Sequence, residues 1–277
     1  MSGRNSRSEC APVARRLLND KRAIVTGASS GIGRELVLQL ARLGTHCVAT
    51  ARREAELTSL ADEVRQQSDS GGTEIEVVVG DITEPALREQ LCQRAESSLG
   101  GLDILINNAG VGSFGRFDGS DEARLRKIME VNFFAAAELM RQALPLLRKG
   151  RDPIVVNVGS ILGHRAIPRM NEYCASKFAL RALSETVRVE LKSAGIDLLL
   201  VSPGTTETEF YDQVIHGRGK VPWRKGKGLT SAAVARATIR AMEKRKREII
   251  PNWPGSLLVW ANKWCPALID WWLRRYA

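Results

Sequence analysis

Tyr173 and Lys177 stand four residues apart in a stretch, residues 172–194, whose apolar spacing predicts a helix. Four residues is close to one turn, so the two side chains share a face. A phenol with a free pKa near 10 is poorly matched to proton transfer at neutral pH. An ammonium beside it favours the phenolate and lowers that value. Such a pair suits a reaction that must hand a proton to a nascent alkoxide, as hydride reduction of a carbonyl does. Ser160, thirteen residues before Tyr173, carries a hydroxyl that can donate to the carbonyl oxygen and stabilise charge developing there.

A hydride needs a donor, and the chain offers a place for one. Thr26-Gly27-Ala28-Ser29-Ser30-Gly31-Ile32-Gly33 lies between a short apolar run, Ala23-Ile24-Val25-Thr26, and a helical pattern marked by Ile32, Leu36, Leu40 and Leu43. Phosphates bind where backbone N–H groups at a helix start are not screened by side chains. In this reading Gly27 makes the tight turn, Gly31 admits a pyrophosphate, and Gly33 lets helix and strand approach. Ser29, Ser30 and Ile32 belong to the same cradle. The run Gly27-Ala28-Ser29-Ser30-Gly31 also matches the hydrolase elbow GxSxG, which would need an acid and a histidine later in the chain. The only histidines are His46, His164 and His216.

The end of the second predicted strand selects the nucleotide. NAD-binding sheets place an acidic residue there for the ribose hydroxyls. This chain reads Thr50-Ala51-Arg52-Arg53. Arg52 can pair with a 2′-phosphate through its planar fork, with Arg53 or Arg34 in support. NADP(H) is therefore expected over NAD(H). Asp81, followed by Ile82, can accept from an adenine amino group or cap the next helix.

These features together resemble the short-chain dehydrogenase/reductase family. The shared motifs are TGASSGIG, Asn107-Asn108-Ala109-Gly110 after the fourth strand, Ser160, Tyr173-Cys174-Ala175-Ser176-Lys177, and Pro203-Gly204 with Thr206 and Thr208 beyond. The resemblance covers about residues 20–250. It implies Tyr173 as general acid/base and Lys177 as its partner and a contact of the nicotinamide ribose. It also implies that Asn132 holds a relay water, that Asn108, Ala109 and Gly110 pass close to the cofactor, and that the chain forms a homo-oligomer. A damaged set of these residues would mark a dinucleotide-binding sensor or scaffold instead; the set here is complete.

The elements that must position these residues alternate. Strands are predicted at 23–26, 46–50, 75–79, 102–106, 154–158, 196–201 and 248–250. Helices are predicted at 55–67, 85–99, 121–148 (one or two), 172–194 and 231–246. Alternation of this kind implies an α/β fold: a Rossmann-type, doubly wound parallel sheet in a single domain. Residues 1–20 read as a loose basic leader, 21–250 as the dinucleotide-binding domain, and 251–277 as a Trp-rich extension. Substrate is expected between loops at 111–118, with Phe114 and Phe117, and 205–228, with Phe210, Tyr211, Trp223 and several lysines and arginines. His164 reads as a loop histidine and Cys174 as packing.

Composition narrows the classes. The 277 residues carry a formal charge of +10, yet no nucleic-acid motif accompanies it, so nucleic acid is not an expected partner. Cys10, Cys47, Cys92, Cys174 and Cys265 are scattered, with neither zinc nor disulfide spacing. No metal is expected, and a reducing, cytoplasmic setting fits. The extension holds Trp253, Trp260, Trp264, Trp271 and Trp272 among leucines, with Lys263, Arg274 and Arg275. Aromatic rings beside cations suit a bilayer interface, while Asn262, Pro266 and Asp270 argue against a spanning helix. Packing on the body or on a second subunit is the alternative. A lipophilic carbonyl or alcohol is the expected small-molecule partner, with an anionic end weighed for the basic loop.

Overall fold

The structure, a computed structural model, describes residues 14–67, 73, 75–207, 215–216 and 228–276. Seven strands form one sheet: β1 Arg22–Thr26, β2 His46–Ala51, β3 Ile75–Val79, β4 Ile104–Asn107, β5 Ile154–Val158, β6 Asp197–Val201 and β7 Glu248–Ile249. Their spatial order is β3-β2-β1-β4-β5-β6-β7, and every pairing is parallel. β4 and β5 are buried along their whole length, so they read as continuous apolar runs without alternation.

The crossovers are helices: α1 Gly31–Arg42, α2 Glu54–Gln67, α3 Pro85–Ser97, α4 Glu122–Met129, α5 Ala135–Arg148, α6 Asn171–Lys192 and α7 Ser231–Glu243. Strand periodicity sorts the core into two halves. Ala23 and Val25 face Leu36 and Leu40 of α1, Leu57 and Leu60 of α2, and Ile239 and Met242 of α7. Ile24, between them, faces Leu87 and Leu91 of α3, Leu139 and Leu147 of α5, and Leu191 of α6. This is the doubly wound α/β sheet that the alternation predicts. Order reverses between β1 and β4, which opens a crevice at the strands' carboxyl ends.

Three elements differ from their sequence-based expectation. The single stretch 121–148 is α4 and α5 joined by a π-helical turn, Glu130–Phe134, with Asn132 at its centre. A π-turn inserts one residue into the helix and re-aims the side chains around it. Order also begins before Arg22. The Arg16 side chain is fully enclosed and donates to Asp197 Oδ2 at 2.7 Å, Asp152 Oδ1 at 3.2 Å and the Met242 carbonyl at 3.0 Å. This anchor ties residues 14–20 to the amino ends of the strands. The fourth strand starts at Ile104, and just before it the Asp103 carboxylate pairs with Arg22 at 2.8 Å.

The extension folds as two helices, α8 Trp253–Trp264 and α9 Pro266–Leu273, with a final 3-10 turn, Arg274–Tyr276. Pro266 cannot continue α8, so the pair breaks at Cys265. Among the described residues, no helix is long and apolar enough to cross a membrane.

Candidate active site

Above the β1/β4 switch lies a cavity of about 570 Å³. One end is the glycine turn. Gly27 adopts φ +67°, a region that disfavours a side chain. A Cβ on Gly33 would come within 2.3 Å of the Gly27 carbonyl oxygen, so only glycine lets α1 start this close to β1. Gly33 is therefore a packing residue, whereas Gly27, Ser29, Ser30, Gly31 and Ile32 line the cavity. The first turn of α1 holds no acidic residue, so its N–H groups present a positive end to the space.

Thr26 ties this turn to β4. Its hydroxyl accepts from the Asn108 and Ala109 amides, both at 3.0 Å, while Asn108 Nδ2 donates to the Thr26 and Gly27 carbonyls at 2.9 and 3.2 Å. Asn108, Ala109 and Gly110 line the cavity. Asn107 does not: it donates to Asn157 across the sheet at 2.9 Å. Thr26 opens the TGASSGIG motif, but its role as the tie between the turn and β4 had no local signal beyond a hydroxyl closing the strand before a glycine turn.

Arg52 and Arg53 line the nucleotide end together with Asp81 and Ile82. Arg52 is exposed. Arg53 straps the turn, its guanidinium reaching Ser29 Oγ at 3.3 Å and Glu56 at 3.3 Å. Arg34 is engaged away from the cavity, with Glu63 at 2.7 Å. Asp81 does not cap α3. Its Oδ1 accepts from the Thr83 amide and hydroxyl at 3.0 and 2.9 Å, an Asx turn that fixes the carboxylate at the rim.

The hydrolase elbow fails here. Ser29 accepts from Arg53, and no histidine lines the cavity among the described residues. His164 is half-buried, its ring beside Ser202 Oγ at 3.0 Å and Glu248 at 2.9 Å.

At the other end Ser160, Tyr173 and Lys177 converge on the same cavity. Lys177 is buried, and its Nζ donates to the Val158 carbonyl at 2.9 Å. The Nζ sits 5.7 Å from the centre of the Tyr173 ring. Burial among neutral groups pushes its pKa down from 10.5 to about 8. Ser160 accepts from the Leu162 amide at 3.1 Å, which orients the hydroxyl and leaves its hydrogen to be donated.

Asn132 stands behind them. Its Nδ2 donates to the Val111 carbonyl and to Ser176 Oγ, both at 2.9 Å, and its Oδ1 accepts from the Val111 amide at 2.8 Å. Gly110 runs close to both side chains: a Cβ there would lie 3.3 Å from Asn132 Oδ1 and 3.6 Å from Lys177 Nζ. Just before the tyrosine, Glu172 is a buried hub. Arg124 reaches it at 2.6 Å and Ser113 at 2.9 Å, with Ser120 closer still. Its neighbours come from the 111–120 loop and α4, a long-range meeting without a local sequence signal.

Pro203, Gly204 and Thr206 close the floor; Thr208, like Phe210, Tyr211, Trp223 and most of the basic loop, falls outside the described residues. The substrate side differs from expectation. Phe114 packs against Met170 and Cys174, and Phe117 is exposed; neither lines the cavity. Leu162, Ile167 and Met170 do, with Leu258, Trp272, Leu273 and Tyr276 from the extension. Burial raises the Cys174 thiol to about 11, in keeping with a packing role.

The family model for short chain dehydrogenase matches residues 21–218. The chain belongs to this family. It is 34% identical over 262 residues to a hydroxysteroid 11-beta-dehydrogenase 1-like protein of Xenopus tropicalis, covering 93% of this chain and 88% of the relative. An 11-beta-hydroxysteroid dehydrogenase A of Sesamum indicum is 31% identical, covering 91% and 74%. Among solved structures, a short chain dehydrogenase/reductase from Burkholderia phymatum in complex with NAD superposes with a TM-score of 0.82 at 25% identity, covering 91% of this chain and 96% of its own. A short-chain dehydrogenase from Sphingobium yanoikuyae in complex with NADPH gives 0.74 at 28%, covering 84% and 88%. The dehydrogenase is thus a nucleotide-binding oxidoreductase acting on CH–OH donors.

Proposed function

We propose that this dehydrogenase is an NADP(H)-dependent enzyme interconverting a ketone or aldehyde with its alcohol on a lipophilic substrate. The observation that carries the proposal is one cavity with a glycine-turn cradle and Arg52 at one end and Ser160, Tyr173 and Lys177 at the other. A bound nicotinamide dinucleotide supplies or accepts the hydride. Ser160 donates to the carbonyl oxygen and polarises it. Tyr173 gives its phenolic proton to that oxygen, and the Lys177 ammonium stabilises the phenolate left behind. Asn132 is assigned to hold a relay water for Lys177, the two side chains approaching each other beside Gly110. Leu162, Ile167, Met170 and the tail residues offer apolar surface, which favours a lipophilic substrate, as do relatives named for hydroxysteroids. Exposed Leu125, Phe134, Phe178 and Val189 support a homo-oligomer.

Fluorescence titration with NADPH and NADH, followed by turnover on carbonyls, tests the proposal. Tighter NADPH binding with turnover is expected. In Arg52→Asp the preference for NADPH should fall about 10–100-fold, the worth of one charge-assisted contact. An unchanged preference would remove Arg52 from phosphate recognition. Binding without turnover on any carbonyl would favour a sensor.

The tail's outer face supports contact with a membrane surface. Trp253, Trp260, Trp264, Leu268 and Trp271 are exposed while Leu273 is buried. Full-length protein should pellet with vesicles containing anionic lipid. The combined Trp260→Ser, Trp264→Ser, Trp271→Ser variant should stay in the supernatant. Equal pelleting of the two proteins would count against the membrane.

A further inference from the structure

The turn that begins at Ser160 also grips the extension. Ser160 N-caps a 3-10 turn, Ile161–Gly163, and the Arg165 amide donates back to the Ile161 carbonyl at 3.0 Å. Arg165 is thus held at a short, fixed offset from the serine. Its guanidinium straddles the break between the two tail helices: Nη1 donates to Asn262 Oδ1 of α8 at 2.8 Å, and Nη2 pairs with Asp270 of α9. A surface ion pair would contribute little, and Asp270 is 64% exposed. Arg165 itself is only 15% exposed, and each of its two bonds is charge-assisted, one to α8 and one to α9, so a single side chain ties both helices to the serine turn.

Two further contacts seat the near end of α8. Asn252 Oδ1 accepts from the Gly204 amide at 3.1 Å. Gly255 sits so close to the serine turn that a Cβ would come 2.9 Å from Ile161 Cγ2. At the far end the Arg275 guanidinium lies 4.1 Å from the centre of the Trp272 ring and 5.1 Å from that of Tyr276. The two rings meet edge to face at 5.5 Å. Both line the cavity, as do Leu258 and Leu273.

We infer that Arg165 is a specificity-determining residue: it latches α8 and α9 to the serine turn, so that Leu258, Trp272, Leu273 and Tyr276 form a fixed apolar wall for large substrates. This rests on the carbonyl-reduction reading above. A small ketone reaches Ser160 and Tyr173 without touching that wall; a multi-ring ketone fills the space against it. Arg165→Met keeps the apolar stem and removes the fork, whereas Arg165→Lys keeps the charge without the fork.

The test uses the full chain loaded with NADPH and two ketones, cyclohexanone and progesterone, with amide hydrogen exchange as an independent readout. In Arg165→Met, exchange across α8 and α9 should quicken and the KM for progesterone should rise about tenfold, the loss of one charge-assisted hydrogen bond. The KM for cyclohexanone and the Kd for NADPH should hold, and Arg165→Lys should fall between. Unchanged tail exchange, or both KM values moving together, would overturn the latch. If the wild type reduces neither ketone, the reaction reading fails, and exchange in the tail alone decides for or against the latch. Should Arg165→Met quicken exchange in the sheet as well, Asp270→Asn, which alters only an exposed carboxylate, repeats the comparison with the same deciding outcomes.

Discussion

Tyr173→Phe should lower turnover by about 10²–10⁴-fold, the usual worth of a positioned general acid, while NADPH binds as before. The substitution removes one oxygen from a side chain that is otherwise buried against Phe114, Met170 and Cys174. The ring keeps its packing, and the Lys177 ammonium keeps its bond to the Val158 carbonyl. Among its neighbours, Ser160 is a far weaker acid, Cys174 is buried with a raised pKa, and the Lys177 ammonium is turned to the Val158 carbonyl. Stopped-flow measurement of NADPH oxidation separates the chemical step from binding. Turnover within a few-fold of wild type would remove Tyr173 as the proton donor.

Lys177→Met should abolish most activity and yet stabilise the protein. The lysine pKa is about 8 in the fold against 10.5 ordinarily. Between those values the unfolded chain holds a proton that the folded chain has lost, so this group makes stability rise with pH across that window. Below pH 8 the fold carries the full penalty of a buried charge, about 3 kcal/mol. Methionine fills similar space without that penalty but forfeits the bond to Val158, worth about 1 kcal/mol. A Tm a few degrees above wild type is expected at pH 7, at about 2–4 °C per kcal/mol. The advantage should shrink as pH rises from 8 toward 10.5. A Tm below wild type at pH 7, or an advantage that grows with pH, would contradict the assignment. Paired with the activity loss, the result would show a site that trades stability for chemistry.

The glycine-turn end of the cavity was legible in the sequence because it depends on local pattern. A glycine turn needs only its flanking strand and helix to be recognised, and Tyr173 and Lys177 need only one helix to meet. The substrate half depends on segments far apart in the chain. Nothing near Phe114 or Phe117 tells that one turns into α6 packing and the other out to solvent. Nothing near Trp272 tells that it returns to the cavity above Ser160. The π-turn at Asn132 was equally silent, since one inserted residue hardly disturbs an apolar period over 121–148. Arg16 was hidden for the same reason: its partners Asp152 and Asp197 lie at the far ends of β5 and β6.

The cavity's two walls are made of different material. The nucleotide wall is built around the backbone turn after β1, whose close seat on α1 leaves no room for a methyl group at Gly33. The substrate wall is side chain, carried on helices that lie outside the sheet. Inheritance can therefore act on the two independently. Exchanges at Leu258, Trp272 or Tyr276 would change what the enzyme admits while leaving hydride transfer intact, so lineages that share this body can diverge in diet without reinventing their chemistry.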